Sequence, residues 1–197
     1  VNFARDPVQG KLLLERARAL AQALRDKAAE AKVLWNLLIL SAYTGEDAQE
    51  RVTYGEQGLR LARRLDLPEQ LAFILHDIFY AYAGIGQWEQ ARTCSLEAKV
   101  LWQRLDNLPM LAETLMRLHW SALVTGDGDQ AIAYADEAFR LGQESHNLDA
   151  QALSHFMLGF IYWDRGQIER ALEVMEEDIS SAETVSSLTP LTGTLAD

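Results

Sequence analysis

The sequence predicts an all-α protein built from antiparallel helix pairs that repeat with one constant period, about 40 residues. Glycines that can end a helix recur at nearly equal intervals, at Gly45, Gly86, Gly126 and Gly166. A small residue stands at a fixed offset after each of the last three glycines, at Ala91, Ala131 and Ala171. Apolar residues at helical spacing flank each glycine. Such regular self-similarity is typical of a solenoid, in which each helix pair buries its face against the next.

The segment Ser154–Ala171 shows the repeating unit most clearly. Phe156, Phe160 and Trp163 are spaced by four and three residues, so they share one face of a helix. Gly166 then breaks the helix, because glycine adopts the left-handed conformation at little cost. Helical spacing resumes directly after it, which predicts a unit of helix, tight turn and helix.

The period divides the chain into repeats of a single array. We expect a fragment of a longer protein, cut inside repeats at both ends, in which residues 1–10 show no clear pattern and helical spacing begins at Lys11. The expected ranges are a partial repeat at 8–26, complete repeats at 27–66, 67–106, 107–146 and 147–187, and the start of a fifth at 188–197.

The boundaries between repeats carry residues that favour helix starts. Asp66 precedes Pro68 by two residues, and Asn107 precedes Pro109 by the same distance. Acidic and amide side chains cap free N–H groups, and proline costs nothing in a first turn. We therefore expect Asp66 and Asn107 to act as helix caps.

The fourth repeat resembles the tetratricopeptide repeat family. Leu158-Gly159, Tyr162, Gly166 and Ala171 stand where that family has its Leu-Gly, its tyrosine, its turn glycine and the first small residue of its second helix. The other repeats replace Gly159 with Leu38, Phe79 and His119. The long period is similar to that of sensor regions in bacterial signalling ATPases and maltose-regulator-like activators. The resemblance implies a right-handed superhelix whose first helices line a concave groove.

Carried over by register, the groove would be lined by a stripe of first-helix residues, ten, six and three positions before each turn glycine. The groove residues predicted from it are Trp35, Ile39, His76, Tyr80, Met116, Trp120, Phe156, Phe160 and Trp163. One interpretation is that neighbouring repeats bury these side chains as core. The other is an exposed aromatic wall that binds a partner, since aromatic residues dominate binding hot spots.

Composition argues against several function classes. The net charge is −11 with 18 basic residues, and the basic residues cluster only at Arg60, Arg63 and Arg64, which we interpret as a solvated helix end. We therefore expect no nucleic-acid binding. No apolar run approaches the roughly 20 residues that cross a bilayer, so we expect no membrane span. The single cysteine, Cys94, fits a reducing cytoplasm.

No catalytic, metal or cofactor motif is evident. The four histidines lack metal-ligand spacing, and His119 is the one that we expect to be most buried. Asp127-Gly128-Asp129 lacks the glutamate of a calcium loop and reads as a turn with a helix cap. We expect no enzyme, no cofactor and no metal.

The sequence leaves three hypotheses for function. The first is a non-catalytic recognition module, the sensor or scaffold part of a larger cytoplasmic signalling protein, with a protein, peptide or small effector in its groove. The second is an architectural spacer or an arm for homo-oligomerisation. The third is a part of an enzyme whose catalytic domain lies elsewhere.

Overall fold

The structure, a computed structural model, describes residues 6–45 and 47–185. These residues form nine α-helices and no strand, which confirms the predicted all-α fold. The helices are α1 Pro7–Ala23, α2 Lys27–Leu40, α3 Ala48–Arg64, α4 Pro68–Gly84, α5 Trp88–Arg104, α6 Leu108–Val124, α7 Gly128–Glu144, α8 Leu148–Asp164 and α9 Ile168–Val185. Within this part of the chain, no helix is long and apolar enough to span a membrane.

The chain divides into two compact units, Val1–Leu101 and Trp102–Asp197, with the division inside α5. Unit 1 has a core of fully buried aliphatic side chains that includes Leu34, Leu37, Ile74, Leu75 and Ile78. In unit 2, a cluster formed by Ala135, Leu158, Tyr162 and Ala171 packs with Ile132 and Val174. The predicted ranges 27–66, 67–106 and 107–146 each contain one helix pair. The expected fifth repeat at 188–197 lies outside the described residues.

The turn inside each helix pair uses glycine, as predicted. Gly45, Gly86, Gly126 and Gly166 lie outside the helices, at φ values of 71°, 74°, 81° and 71°. A Cβ added to any of them would meet no atom within 4 Å. The requirement for glycine is therefore conformational and not a matter of space.

The turn between one pair and the next takes the same shape without glycine. Arg25, Asp66, Asp106 and His146 have φ values of 58°, 51°, 53° and 52°. The N–H of Leu67 donates to the Ala62 carbonyl at 3.0 Å, just as the N–H of Gln87 after Gly86 donates to the Tyr82 carbonyl at 2.9 Å. Both bonds satisfy the end of a helix through a left-handed residue. An L-residue in this conformation costs about 1 kcal/mol, so each of these junctions is strained.

The expected caps are confirmed at two helix starts. Asn107 begins α6, with its side-chain oxygen 3.2 Å from the N–H of Met110. Asp127 caps α7 by accepting from the N–H of Gln130 at 3.1 Å. The interpretation of this segment as a turn with a helix cap is therefore correct.

Two expectations about helix starts are wrong. Asp66 does not cap α4, because it is the left-handed residue that ends α3, and Leu67 occupies the cap position with no side-chain bond. Residues 1–10 are not all patternless, because α1 begins at Pro7 and not at Lys11. Asp6 accepts a hydrogen bond from the N–H of Gln9 at 2.9 Å, and proline follows it directly.

Candidate functional site

The first-helix stripe divides by register into buried and exposed positions. Ten residues before the turn glycine, His76 and Met116 are only 2% and 7% exposed, while Trp35 and Phe156 are half-buried. The prediction that the whole stripe lines an open surface is therefore wrong at His76 and Met116. The side chains of His76 and Met116 therefore belong to the core, while those of Trp35 and Phe156 lie at its edge.

The positions closer to the turn are open. Six residues before the glycine, Tyr80, Trp120 and Phe160 are 52%, 40% and 38% exposed, and Ile39 is half-buried. Three residues before the last glycine, Trp163 is 58% exposed. These rings keep a large part of their apolar surface in water, which is the property of a binding surface and not of a core.

In unit 2, three of these rings lie on two helices that contact each other, α6 and α8. Trp120 belongs to α6, while Phe160 and Trp163 belong to α8. Phe156 packs edge-on against Phe160, with ring centroids 5.0 Å apart and an interplanar angle of 74°. The half-buried ring of Phe156 thus supports the exposed ring from below. We call Trp120, Phe160 and Trp163 the unit 2 aromatic surface.

In unit 1, the equivalent face is braced by a polar bond that the sequence analysis missed. The indole N–H of Trp35 on α2 donates to Asp77 on α4 at 2.6 Å. The Trp35 ring also packs on Phe73, with centroids 4.9 Å apart and an interplanar angle of 31°. Trp35 therefore joins two successive first helices instead of projecting freely. The signal in the sequence was Asp77, a carboxylate among the apolar residues in the middle of α4.

His119 is fully buried beneath the unit 2 aromatic surface, as expected. Its Nδ1 lies 2.9 Å from the carbonyl oxygen of Ala131 on α7, and its ring packs edge-on against Trp120 at 5.9 Å. Burial lowers the pKa of the imidazole, and the bond to the Ala131 carbonyl opposes that shift. The side chain is thus held neutral, as a structural link between α6 and α7.

Gly159 occupies the slot where the other first helices carry Leu38, Phe79 or His119. A Cβ built on Gly159 would lie 2.8 Å from Cγ and 2.9 Å from Cε of Met175 on α9. The methionine side chain therefore fills the space that a larger residue takes in the other repeats. Gly159 is therefore a point of close contact between α8 and α9.

The described residues offer little reactive chemistry. Burial raises the pKa of the Cys94 thiol to about 11, which keeps it protonated and unreactive at neutral pH. Burial likewise raises the pKa of Tyr82, which donates to Glu56 at 3.2 Å, to about 12. Among the side chains that the structure describes, no group of three His, Cys, Asp or Glu residues is placed to hold a metal ion.

A scan against protein families and a search of curated proteins found no match. Solved structures do match. BtubC (BKLC) from P. vanneervenii is 20% identical with a TM-score of 0.82, over 92% of this chain and 75% of that chain. A signal transduction ATPase with numerous domains and a tetratricopeptide repeat sensor, from Pyrococcus horikoshii, is 15% identical with a TM-score of 0.80, over 97% of this chain and 30% of that one.

A Rap protein complexed with Competence and Sporulation Factor is 19% identical with a TM-score of 0.69, over 92% of this chain and 46% of that chain. The match thus spans less than half of the Rap protein and of the ATPase. At such identities the likeness shows the fold alone, and that fold is a tetratricopeptide-like array of helix pairs. The resemblance read from the sequence is confirmed at this level.

Proposed function

We propose that this chain is a non-catalytic recognition module that binds a protein or peptide partner on its exposed first-helix rings. The observation that carries the proposal is the exposure of Trp120, Phe160 and Trp163 on contacting helices of unit 2. Other large rings of unit 2, such as those of Trp102, Tyr134 and Tyr162, are buried. Three partly exposed rings on one pair of helices cost solvation free energy that only a partner recovers.

A peptide or protein segment suits this surface better than a compact polar ligand. Aromatic rings present a large, rigid contact area at low entropic cost, and they commonly anchor apolar side chains of a partner. The similar fold of a Rap protein complexed with Competence and Sporulation Factor supports a bound partner, and the sensor of the Pyrococcus ATPase supports a signalling role. We infer a sensor or scaffold segment of a larger cytoplasmic signalling protein, which could also accept a small effector.

The proposal is tested by selecting peptides from a displayed library on the purified chain and measuring their affinity for variants. Trp120→Ala and Trp163→Ala should each weaken binding by about 2 kcal/mol or more, the usual scale of an aromatic anchor. Leu172→Ala is the matched control, because Leu172 is 51% exposed but lies on the second helix α9. It should leave the affinity within about twofold.

Stability measurements separate binding from folding. Because Trp120 keeps 40% of its surface exposed, its removal should cost less than the roughly 3 to 5 kcal/mol of a fully buried tryptophan. Sedimentation at several concentrations tests the alternative of an oligomerisation arm. Self-association that Trp120→Ala abolishes would favour that alternative. Selected peptides that bind both tryptophan variants as well as the unaltered chain would refute the proposed surface.

A further inference from the structure

A concave site lies in unit 1 and is lined by no aromatic residue. Helices α2 and α3 border an open cleft of about 760 Å³, within the range of small-molecule sites. Its lining residues are Lys27, Glu30, Leu34, Gln57, Arg60, Leu61, Arg63 and Arg64. Four of these eight side chains are cationic, in a chain whose net charge is −11.

The three arginines share one side of α3. Arg60, Arg63 and Arg64 stand at positions i, i+3 and i+4, so their side chains project from neighbouring points of the helix surface. Lys27 adds a fourth cation from the first residue of α2. Only one of the lining residues, Glu30, is acidic, so the lining carries four positive charges against one negative.

Ion pairs with the protein neutralise part of this charge. Lys27 contacts Glu30 at 2.7 Å, Arg63 donates to Glu97 at 2.6 Å, and Arg60 lies 3.8 Å from Glu56. Arg64 makes no ion pair within the described part of the chain. Four cations against three carboxylates leave a net positive charge, and Arg60 and Arg63 remain 66% and 48% exposed.

Glu30 does not remove the net positive charge of the arginines in the cleft lining. Its carboxylate is buried and accepts hydrogen bonds from Lys27 at 2.7 Å and from Gln22 at 2.8 Å. The Lys27 bond and then the Gln22 bond lower the pKa of Glu30, so the carboxylate stays charged at neutral pH. Glu30 uses its oxygens on that side, so Arg64 keeps its donors for another anion, and Arg60 and Arg63 keep those that Glu56 and Glu97 do not engage.

The triple arginine is not a requirement of the helix-pair fold. At the equivalent positions one repeat later, α5 carries Val100, Gln103 and Arg104. At the equivalent positions two repeats after α3, helix α7 carries Arg140, Gln143 and Glu144. Both helices pack in the same architecture without the cluster, so packing does not account for it.

We propose that this cleft binds a small organic anion that carries a phosphate group. Guanidinium groups offer planar forks of N–H donors that match phosphate oxygens, and Arg60 and Arg64 hold such forks at the opening. Half-buried Leu61 gives the cleft an apolar contact for the organic part of the ligand, backed by the buried Leu34.

The test uses phenyl phosphate and inorganic phosphate as probes, titrated calorimetrically at constant ionic strength. Both should bind, and phenyl phosphate should bind at least about threefold more tightly, because its ring contacts Leu61. The double variant Arg60→Gln with Arg64→Gln should weaken phenyl phosphate at least about tenfold. The control is Arg104→Gln, which removes the equivalent of Arg64 from the last turn of α5 and should change the affinity less than about twofold.

Several results would overturn the proposal. Absence of heat with either probe would do so, as would an equal loss in Arg104→Gln, which would indicate attraction to charge anywhere on the surface. A peptide of eight glutamates that binds more tightly than phenyl phosphate would replace a phosphate ligand with an acidic protein segment. Thermal melts of the variants confirm that each one is folded, since all the substituted arginines lie at the surface.

Discussion

Placing a large residue at Gly159 and a small one at Met175 tests how the two helices of a repeat fill the space between them. In the other repeats, where the first helix carries Leu38, Phe79 or His119, the positions equivalent to Met175 hold the small residues Gly55, Ser95 and Ala135. The fourth repeat reverses this order, with glycine on α8 and methionine on α9. Its contact is visible directly, since a Cβ on Gly159 would lie 2.8 Å from Cγ of Met175.

The distances set the expected magnitudes. Ordinary contact with a Cβ begins at 3.4 Å, so Met175 must move by about 0.6 Å, the difference between 3.4 and 2.8 Å, to admit even an alanine. Methionine is flexible, so Gly159→Ala should cost about 0.5 to 1.5 kcal/mol of unfolding free energy. Gly159→Leu adds three further carbons to the same space, and it should cost about 1 to 3 kcal/mol.

The double variant gives the decisive measurement. Met175→Ala alone leaves a space beside α8 and should cost about 2 kcal/mol. Gly159→Leu combined with Met175→Ala places a large residue on the first helix and a small one on the second, as at Leu38 and Gly55. The double variant should therefore lose less unfolding free energy than the sum of the two single losses, by about 1 kcal/mol or more. Urea denaturation of the four proteins measures this coupling. Strictly additive losses would show that the two positions do not share a slot.

Three further predictions concern single positions. The pKa of His119 is lowered in the folded chain, so below about pH 6.5 the imidazole is protonated in the unfolded chain before it is protonated in the folded one. The free energy of unfolding should therefore decline from that pH down to the lower folded pKa. His119→Phe should reduce the decline seen in thermal melts from pH 7.5 to 5. Gly126→Ala, at a φ of 81°, should lower the free energy of unfolding by about 1 to 2 kcal/mol, whereas Asp106→Gly, at a φ of 53°, should raise it by about 0.5 kcal/mol. Urea denaturation measures both changes, and two changes of the same sign would contradict this account. Asn107→Ala should cost about 1 kcal/mol by the same assay, because it removes the cap on Met110, and no loss would show that Pro109 suffices to start α6.

The sequence could predict the helix pairs because their turns depend on a local property. A left-handed residue between two helices strongly favours glycine, so Gly45, Gly86, Gly126 and Gly166 fix the period by themselves. The junctions between pairs adopt the same conformation with arginine, aspartate or histidine. Because these residue types differ, the sequence does not reveal that Asp66 and its equivalents adopt the left-handed conformation. Asp66 precedes a proline, so its position in the sequence suggested a helix cap instead.

The candidate site could be predicted only in part, for a related reason. Helical spacing places Trp120 and Met116 on one face, because it follows from the geometry of a single helix. How deeply each lies depends on the distance to the neighbouring helices, which spacing does not contain. Met116 is consequently buried while Trp120 is open. The cleft at Arg60 to Arg64 was missed because its other wall, Lys27 and Glu30, comes from a separate helix.

The strained junctions affect how such an array would respond to tension. Arg25, Asp66, Asp106 and His146 each hold an L-residue at positive φ, and each can relax only when the hydrogen bonds closing that turn are broken. Relief of this strain lowers the work of separating neighbouring helix pairs by about 1 kcal/mol, whereas a glycine turn inside a pair holds no such strain to relieve. Under a pulling force, the chain would therefore give way between pairs before it gives way within them, and it would lengthen in steps of one hairpin.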